Sequence, residues 1–265
     1  GFVALSVLSD ALARSDLVVL GETHDNRDHH QLEAKLMALF ADAHGKVSVG
    51  FEMLDAKQGD ALARIPARSA DELARRVDWQ HSGWPDFAIY RVLFERVFEK
   101  GATIIAASPD PKMVRASMSG LDAAEARALH LDLPLPPAQA AAQYAEIRAS
   151  HCGQAPDEMI APMQRAQSFK DAFMARAVLS AQGPALLVAG RGHARIDRGV
   201  PLFWQRAGLP SLSIAFVEVE DDVRRLSAYD VAAFDFVVFT PRVSDEDPCA
   251  RFRRELERMR AGHAD

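Results

Sequence analysis

Short runs of apolar residues recur along the chain, and most of them are continuous rather than alternating with polar residues. Strands buried on both faces have this pattern, because helices cover a parallel sheet on both sides. The pattern therefore predicts strands at residues 17–20, 47–51, 103–107, 185–189, 211–219 and 236–240.

Helical periodicity fills most of the intervals between these runs. Residues 29–43 place Leu32, Leu36, Leu39 and Phe40 on one face, as a helix packed against a sheet would. Strands that alternate with helices predict an α/β fold with a mostly parallel sheet flanked by helices. A length of 265 residues suits a single domain covering residues 1–265.

The stretch from residue 111 to residue 183 breaks this alternation. It contains no convincing strand and predicts helices at residues 123–130, 137–150 and 157–181. We expect it to be an all-helical excursion inserted before the fourth strand, lying like a lid over the carboxyl edge of the sheet.

A short motif, Gly-x-x-His, directly follows two of the predicted strands. It spans residues 21–24 after the first strand and residues 190–193 after the fourth. Ligands of open α/β sheets bind at the carboxyl ends of strands. Glu22 lies inside the first copy and Glu52 follows the second strand, so Glu22, His24, Glu52 and His193 are predicted to face one crevice.

Two imidazoles and two carboxylates can serve two kinds of chemistry. They can hold a divalent metal ion, or act as general acid and base around a bound water. Each residue also has a structural interpretation: a hydrogen-bonded core histidine, or a carboxylate at a helix N-terminus. Their conjunction favours a site, because charged groups that end buried strands are costly to bury without partners.

Composition narrows the classes of function. The formal net charge is -6 and no run of Lys and Arg stands out, which argues against nucleic acid as a partner. No stretch approaches the roughly 20 apolar residues of a membrane-spanning helix. The chain begins at Gly1 without a signal-like segment, which is typical of a processed product. Cys152 and Cys249 can form one disulfide or remain two free thiols.

These motifs, taken in order, carry a family resemblance. Residues 21–26 with His29 and His30, then Phe51-Glu52-Met53, Trp79-Gln80 and residues 190–193, resemble the ChaN family of haem-binding, iron-regulated lipoproteins. This family belongs to the wider Tiki and erythromycin-esterase-like superfamily. The match runs from about residue 17 to residue 204.

The resemblance implies several properties. They are a parallel α/β sheet with a helical excursion, a location in the bacterial cell envelope (periplasmic or as a membrane-anchored lipoprotein), and binding of haem during haem-iron uptake. Haem would be the cofactor, and the haem-uptake machinery of the envelope would be a partner. A homodimer that binds haem between its subunits is a further option.

Haem binding in the family is linked to a tyrosinate, and this chain has three tyrosines. Tyr90 lies on an aromatic helical stripe and Tyr229 follows the fifth strand, so packing is the expected role of both. Tyr144 and His151 lie about two helical turns apart, on one face of the excursion. The predicted haem contacts are therefore Tyr144 first, His151 second, and Met163 in the apolar wall.

Two hydrolase interpretations stand beside haem binding. In the Tiki branch the corresponding motifs are associated with metal-dependent proteolysis. Glu22, His24, Glu52 and His193 would then hold a divalent metal whose bound water attacks an ester or amide. In a metal-free alternative, like the erythromycin esterases, His24 and Glu52 would act as base and acid. The sequence does not separate these two hydrolases.

Overall fold

The computed structural model describes residues 1–63, 69–181, 183–220, 223, 225–247, 249–250, 252–254 and 257. The strands are β1 Leu17–Glu22, β2 Ser48–Asp55, β3 Thr103–Ser108, β4 Ala185–Gly190, β5 Leu212–Glu218 and β6 Phe236–Thr240. The helices are α1 Leu5–Arg14, α2 Arg27–His44, α3 Gly59–Ala63, α4 Ala70–Arg76, α5 Phe87–Glu99, α6 Pro111–Ser117, α7 Ala123–Ala128, α8 Pro137–Ser150, α9 Asp157–Leu179 and α10 Val200–Arg206.

The strands form one six-stranded sheet in the order β3-β2-β4-β1-β5-β6, and every neighbouring pair is parallel. The α/β fold predicted from the apolar runs is therefore confirmed. Three strands extend past their apolar runs into polar residues, to Glu22 in β1, Asp55 in β2 and Ser108 in β3. Backbone pairing explains the extension of β1, since Glu22 still aligns with Gly190 of β4.

Helices cover both faces of the sheet, which explains the continuous apolar runs. On β1, Val18 and Leu20 belong to the core packed beneath α1, α2 and α5. Val19 of the same strand belongs to the opposite core, formed with α9 and α10. Successive side chains of a strand point to opposite faces, so both parities must be apolar when both faces are buried.

The connection from β3 to β4 is helical in its described part, as predicted. It consists of α6, α7, α8 and α9, and we call it the helical insertion, residues 111–183. A disulfide joins Cys152, between α8 and α9, to Cys249 in the C-terminal segment. This decides between the two cysteine states that the sequence left open. None of the described helices is both long and apolar enough to cross a membrane.

Candidate functional site

The carboxyl ends of β1, β2 and β4 open onto one crevice of about 480 Å³. Glu22, His24, Glu52 and His193 all line it, so the residues predicted from the strand ends do meet. The strand order explains the meeting, because β4 lies between β2 and β1. Helices α8 and α9 of the helical insertion form the opposite wall, and we call this space the strand-end crevice.

The glycines of the two Gly-x-x-His motifs are required by the packing of each motif against the other. A Cβ atom on Gly190 would lie 2.9 Å from Nε2 of His24. A Cβ atom on Gly21 would lie 2.6 Å from the Cβ of Ala194, in the turn that carries His193. At each of these two positions, the absence of a side chain leaves the space that the other motif occupies at the sheet edge.

His24 is oriented by Glu22. Its Nδ1 lies 2.9 Å from Oε1 of Glu22, and because a carboxylate only accepts, Nδ1 carries the hydrogen. Nε2 then faces the crevice, where the side chain of His24 is 31% exposed. Trp84 packs edge-on against the imidazole with the ring centroids 4.8 Å apart. A carboxylate-oriented imidazole with a free Nε2 can act as a general base.

Glu52 and His193 belong to a denser group of charges. Lys170 donates to Oε1 of Glu52 at 2.7 Å, and the backbone N–H of Gly190 donates to Oε2 at 2.8 Å. Nε2 of His193 lies 3.1 Å from Oε1 of Glu52, and its Nδ1 lies 2.6 Å from Asp171. The ammonium of Lys170, contributed by α9, thus already supplies a cation to the predicted metal ligands Glu52 and His193.

These contacts shift the pKa values of the crevice residues. Burial alone would lower the pKa of His193, but the carboxylates of Glu52 and Asp171 raise it to about 9. Burial would raise the pKa of Glu52, yet His193 and Lys170 hold it well below its usual range. Burial alone would lower the pKa of His24, but the hydrogen bond to Glu22 and the negative charges of Glu52 and Glu22 together outweigh it and raise the pKa. The crevice is therefore a network of paired charges.

A third set of groups lies beneath His24 and consists of Glu22, His30 and Glu33, which we call the buried triad. Nδ1 of His30 lies 2.9 Å from Oε2 of Glu22 and 2.9 Å from Oε2 of Glu33. Tyr90 closes this side, and its hydroxyl donates to the backbone oxygen of His24 at 3.0 Å. Although burial opposes it, the two carboxylates raise the pKa of His30 to about 10, whereas burial raises that of Glu33 to about 7.

The predicted four metal ligands form a chain of contacts rather than one cluster. His24 contacts Glu22 through Nδ1 and lies 3.8 Å from Glu52 through Nε2, and Glu52 then contacts His193. Within the described part of the chain, the buried triad is the group of three ligands whose atoms all lie within 4.8 Å of one another.

Several residues of this region were not predicted from the sequence. They are Lys170, Asp171 and Glu33. Each is a polar residue on an otherwise buried helical face, and that pattern could have indicated them as site residues. Glu33 lies one turn from Met37 and two turns from Phe40, both fully buried. His29, one of the strand-end histidines, has a structural role, since it accepts from the N–H of Thr23 and contacts Thr240 at 2.8 Å.

The predicted haem contacts lie outside the lining of the strand-end crevice. Tyr144 is half-buried on α8, and its hydroxyl makes no hydrogen bond to any residue that the structure describes. His151 follows α8, and its Nδ1 lies 2.8 Å from the carbonyl oxygen of Ile147. Met163 is half-buried on α9.

The other two tyrosines have partnered hydroxyls. Tyr90 is fully buried and bonded to the backbone of His24. The hydroxyl of Tyr229 accepts from the N–H of Glu220 at 2.9 Å, and its ring packs against Phe239. Of the three tyrosines, Tyr144 is the one whose phenol is left without a partner among the described residues.

The helical insertion and α10 also line an open apolar cavity of about 500 Å³. Its walls include Leu121, Leu131, Phe169 and Phe203, and none of the described residues that line it is His, Tyr, Cys or Met. It therefore offers no side chain of the types that ligate haem iron.

Comparisons with known proteins agree with this architecture. Residues 8–203 match the family model described as "Haem-binding uptake, Tiki superfamily, ChaN". The fold is similar to a structure of Campylobacter jejuni ChaN with cofacial haem binding, at a TM-score of 0.72 and 18% identity, covering 89% of this chain and 91% of that one. The type III effector HopBA1 is similar at a TM-score of 0.52 and 16% identity, covering 88% of this chain and 91% of that one. At these identities the two structures establish the fold alone. No curated protein matches the chain significantly.

Proposed function

The chain belongs to the haem-binding uptake family of the Tiki superfamily typified by ChaN, and we propose that it binds haem with Tyr144 as the iron ligand. The observation that carries this proposal is the unpartnered, half-buried phenol of Tyr144. Tyrosine is one of the side chains that hold haem iron in proteins. A phenol without a partner can bind iron without breaking an existing hydrogen bond, which Tyr90 and Tyr229 would each have to do.

His151 is the second candidate contact. Its Nδ1 is engaged with the backbone of Ile147, which leaves Nε2 as the nitrogen available to a ligand. Met163 contributes an apolar, polarisable surface on the neighbouring helix α9. The apolar cavity of the insertion would not hold the iron, because the described residues that line it offer no ligand for it.

The family and the disulfide support the proposal of a role in the cell envelope. Disulfides persist in oxidising compartments such as the periplasm, and Cys152 is bonded to Cys249. We therefore propose that the protein binds haem in the envelope, as a periplasmic protein or a membrane-anchored lipoprotein, and takes part in haem-iron uptake with the machinery there. We also propose that a homodimer binds haem between its subunits, in keeping with the cofacial haem binding of the Campylobacter jejuni structure.

A haemin titration tests the proposal. Wild-type protein should shift the Soret band, and Tyr144→Phe should weaken haemin binding at least about tenfold, which corresponds to 1.4 kcal/mol. Tyr229→Phe is the matched control, since its hydroxyl is bonded to Glu220 and should not contribute. His151→Ala should have a smaller effect. Equal affinities for wild type, Tyr144→Phe and Tyr229→Phe would refute Tyr144 as the ligand. Sedimentation of the haemin complex measures its oligomeric state and so tests the proposed dimer.

A hydrolase remains the second candidate, on the strength of two imidazole–carboxylate pairs in one crevice. The pairs are His24 with Glu22 and His193 with Asp171. The ammonium group of Lys170 contacts both Glu52 and His193. This contact favours a metal-free hydrolase over one in which Glu52 and His193 ligate a metal. Ester hydrolysis that survives exhaustive chelation and is lost in His24→Ala would support it.

A further inference from the structure

The buried triad has the donor set of a metal site and shares one residue, Glu22, with the lining of the crevice. Glu22, His30 and Glu33 each offer one ligand atom, and these atoms lie within 4.8 Å of one another. Glu22 is 2% exposed, and the other two are fully buried. Imidazole nitrogen and carboxylate oxygen together are ligands of zinc and of neighbouring divalent transition metals.

Two carboxylate oxygens of the buried triad have no hydrogen-bond donor in the described part of the chain. They are Oε2 of Glu22 and Oε1 of Glu33. A single N–H on Nδ1 of His30 cannot point at both carboxylates, and the hydrogen-bond geometry is met toward Glu33. Burying a carboxylate oxygen that accepts no hydrogen bond costs several kcal/mol of folding free energy. A cation bound between the two oxygens would remove this cost.

The orientation of His30 fits a metal ligand. Its Nε2 lies 3.1 Å from the backbone carbonyl oxygen of His24, which can only accept a hydrogen bond. Nε2 therefore carries a hydrogen, and Nδ1 is directed at the two carboxylates. Histidines that bind metals show this arrangement, in which the other ring nitrogen donates to a carbonyl or carboxylate.

Charge and distance are also compatible with a bound cation. Two carboxylates and a neutral imidazole balance the charge of a divalent ion. Nδ1 of His30 now lies 2.9 Å from each carboxylate. Ligands about 2.1 Å from a tetrahedral ion are about 3.4 Å apart, so the triad must open by only about 0.5 Å.

We propose that Glu22, His30 and Glu33 bind a divalent transition-metal ion such as Zn²⁺ or Mn²⁺, at a site separate from the haem. Glu22 would then connect the metal to the crevice, because its other oxygen, Oε1, holds His24. The assignment differs from the one made from the strand ends in replacing His24, Glu52 and His193 by His30 and Glu33.

Matched Glu→Gln variants separate the two assignments. Wild type, Glu33→Gln and Glu52→Gln are purified without chelator, stripped, and refolded with Zn²⁺ or Mn²⁺, because the buried site needs access. We expect about one ion per chain by elemental analysis in wild type and Glu52→Gln, and at least a tenfold loss in Glu33→Gln. Metal-free wild type after refolding, or loss in Glu52→Gln with retention in Glu33→Gln, would overturn the proposal.

A stability measurement protects the test against a variant that fails to fold. A ligand that binds only the folded state raises the melting temperature, so Zn²⁺ should raise it for wild type and Glu52→Gln alone. If Glu33→Gln does not refold, Co²⁺-loaded wild type and His30→Asn supply the second readout. Visible bands of tetrahedral Co²⁺ should be present in wild type and absent in His30→Asn, and bands unchanged by His30→Asn would count against the site. Haemin binding by Glu33→Gln should be unchanged, which keeps this test independent of Tyr144.

Discussion

The strand-end crevice and the helical insertion distribute their polar groups in opposite ways. In the crevice, Glu22, Glu52 and His193 are buried and already engaged with neighbouring side chains. In the insertion, Tyr144 is half-buried and its phenol has no partner among the described residues. The crevice is thus organised by internal charge pairs, whereas the insertion presents a side chain that is ready for an external ligand.

This difference distinguishes residues that stabilise the sheet edge through paired charges from residues that are available to bind a ligand. Buried charges are kept at the sheet edge because each neutralises another, and removing one leaves its partner uncompensated. A ligand such as haem needs a group whose bonding capacity is still unused. The most motif-like residues of the chain therefore need not be the ones that bind the family's ligand.

The largest effect on stability should come from removing the disulfide that links the helical insertion to the C-terminal segment. Replacing both cysteines, Cys152→Ser with Cys249→Ser, opens a link that spans 97 residues of sequence. Freeing the unfolded chain in this way should lower the free energy of unfolding by roughly 2–4 kcal/mol. Guanidinium unfolding measures the change, and reduced wild type is the control. A loss well below about 1 kcal/mol would show that the insertion is held by packing alone.

A smaller effect should come from breaking the charge network of the crevice. Lys170→Met leaves Glu52 buried without its ammonium partner, and we expect a loss of roughly 2–3 kcal/mol, since Lys170 is partly exposed. The matched control is Arg148→Met, which removes an exposed pair with Asp157 and should cost about 0–1 kcal/mol. Urea unfolding measures both losses of free energy. Equal losses for the two variants would show that the charge network of the crevice contributes no more than an exposed ion pair.

A further effect, of about the same size, concerns pH. The pKa of His193 is raised from 6.5 to about 9 in the folded protein. Its stabilising contribution is therefore fully present below pH 6.5 and is lost as the pH rises toward 9. Relative to His193→Gln, wild type should lose about 2–3 kcal/mol of unfolding free energy over that interval.

Unfolding of the two proteins at several pH values measures this difference. His30, which also titrates at high pH, is common to both proteins and cancels. A constant difference between wild type and His193→Gln would mean that Glu52 and Asp171 do not hold His193 in its charged form.

The sheet and the first members of the site could be predicted because their signals are local. A short continuous apolar run such as Leu186-Leu187-Val188 is typical of a strand buried on both faces. The two Gly-x-x-His motifs indicated the sheet edge for the same reason, since a polar group must follow where such a strand ends. The family membership rests on these ordered motifs, and the family model confirms it.

The partners of those residues could not be predicted, because they come from distant segments. Lys170 and Asp171 lie on α9, more than 100 residues after Glu52, and nothing in the local sequence aims them at the sheet edge. The sequence by itself determined the six strands, the insertion and the side chains that end the strands. Only the tertiary structure decided which charges neutralise one another, whether the two cysteines pair and which tyrosine is left without a partner, because pairing depends on distances in space and not along the chain.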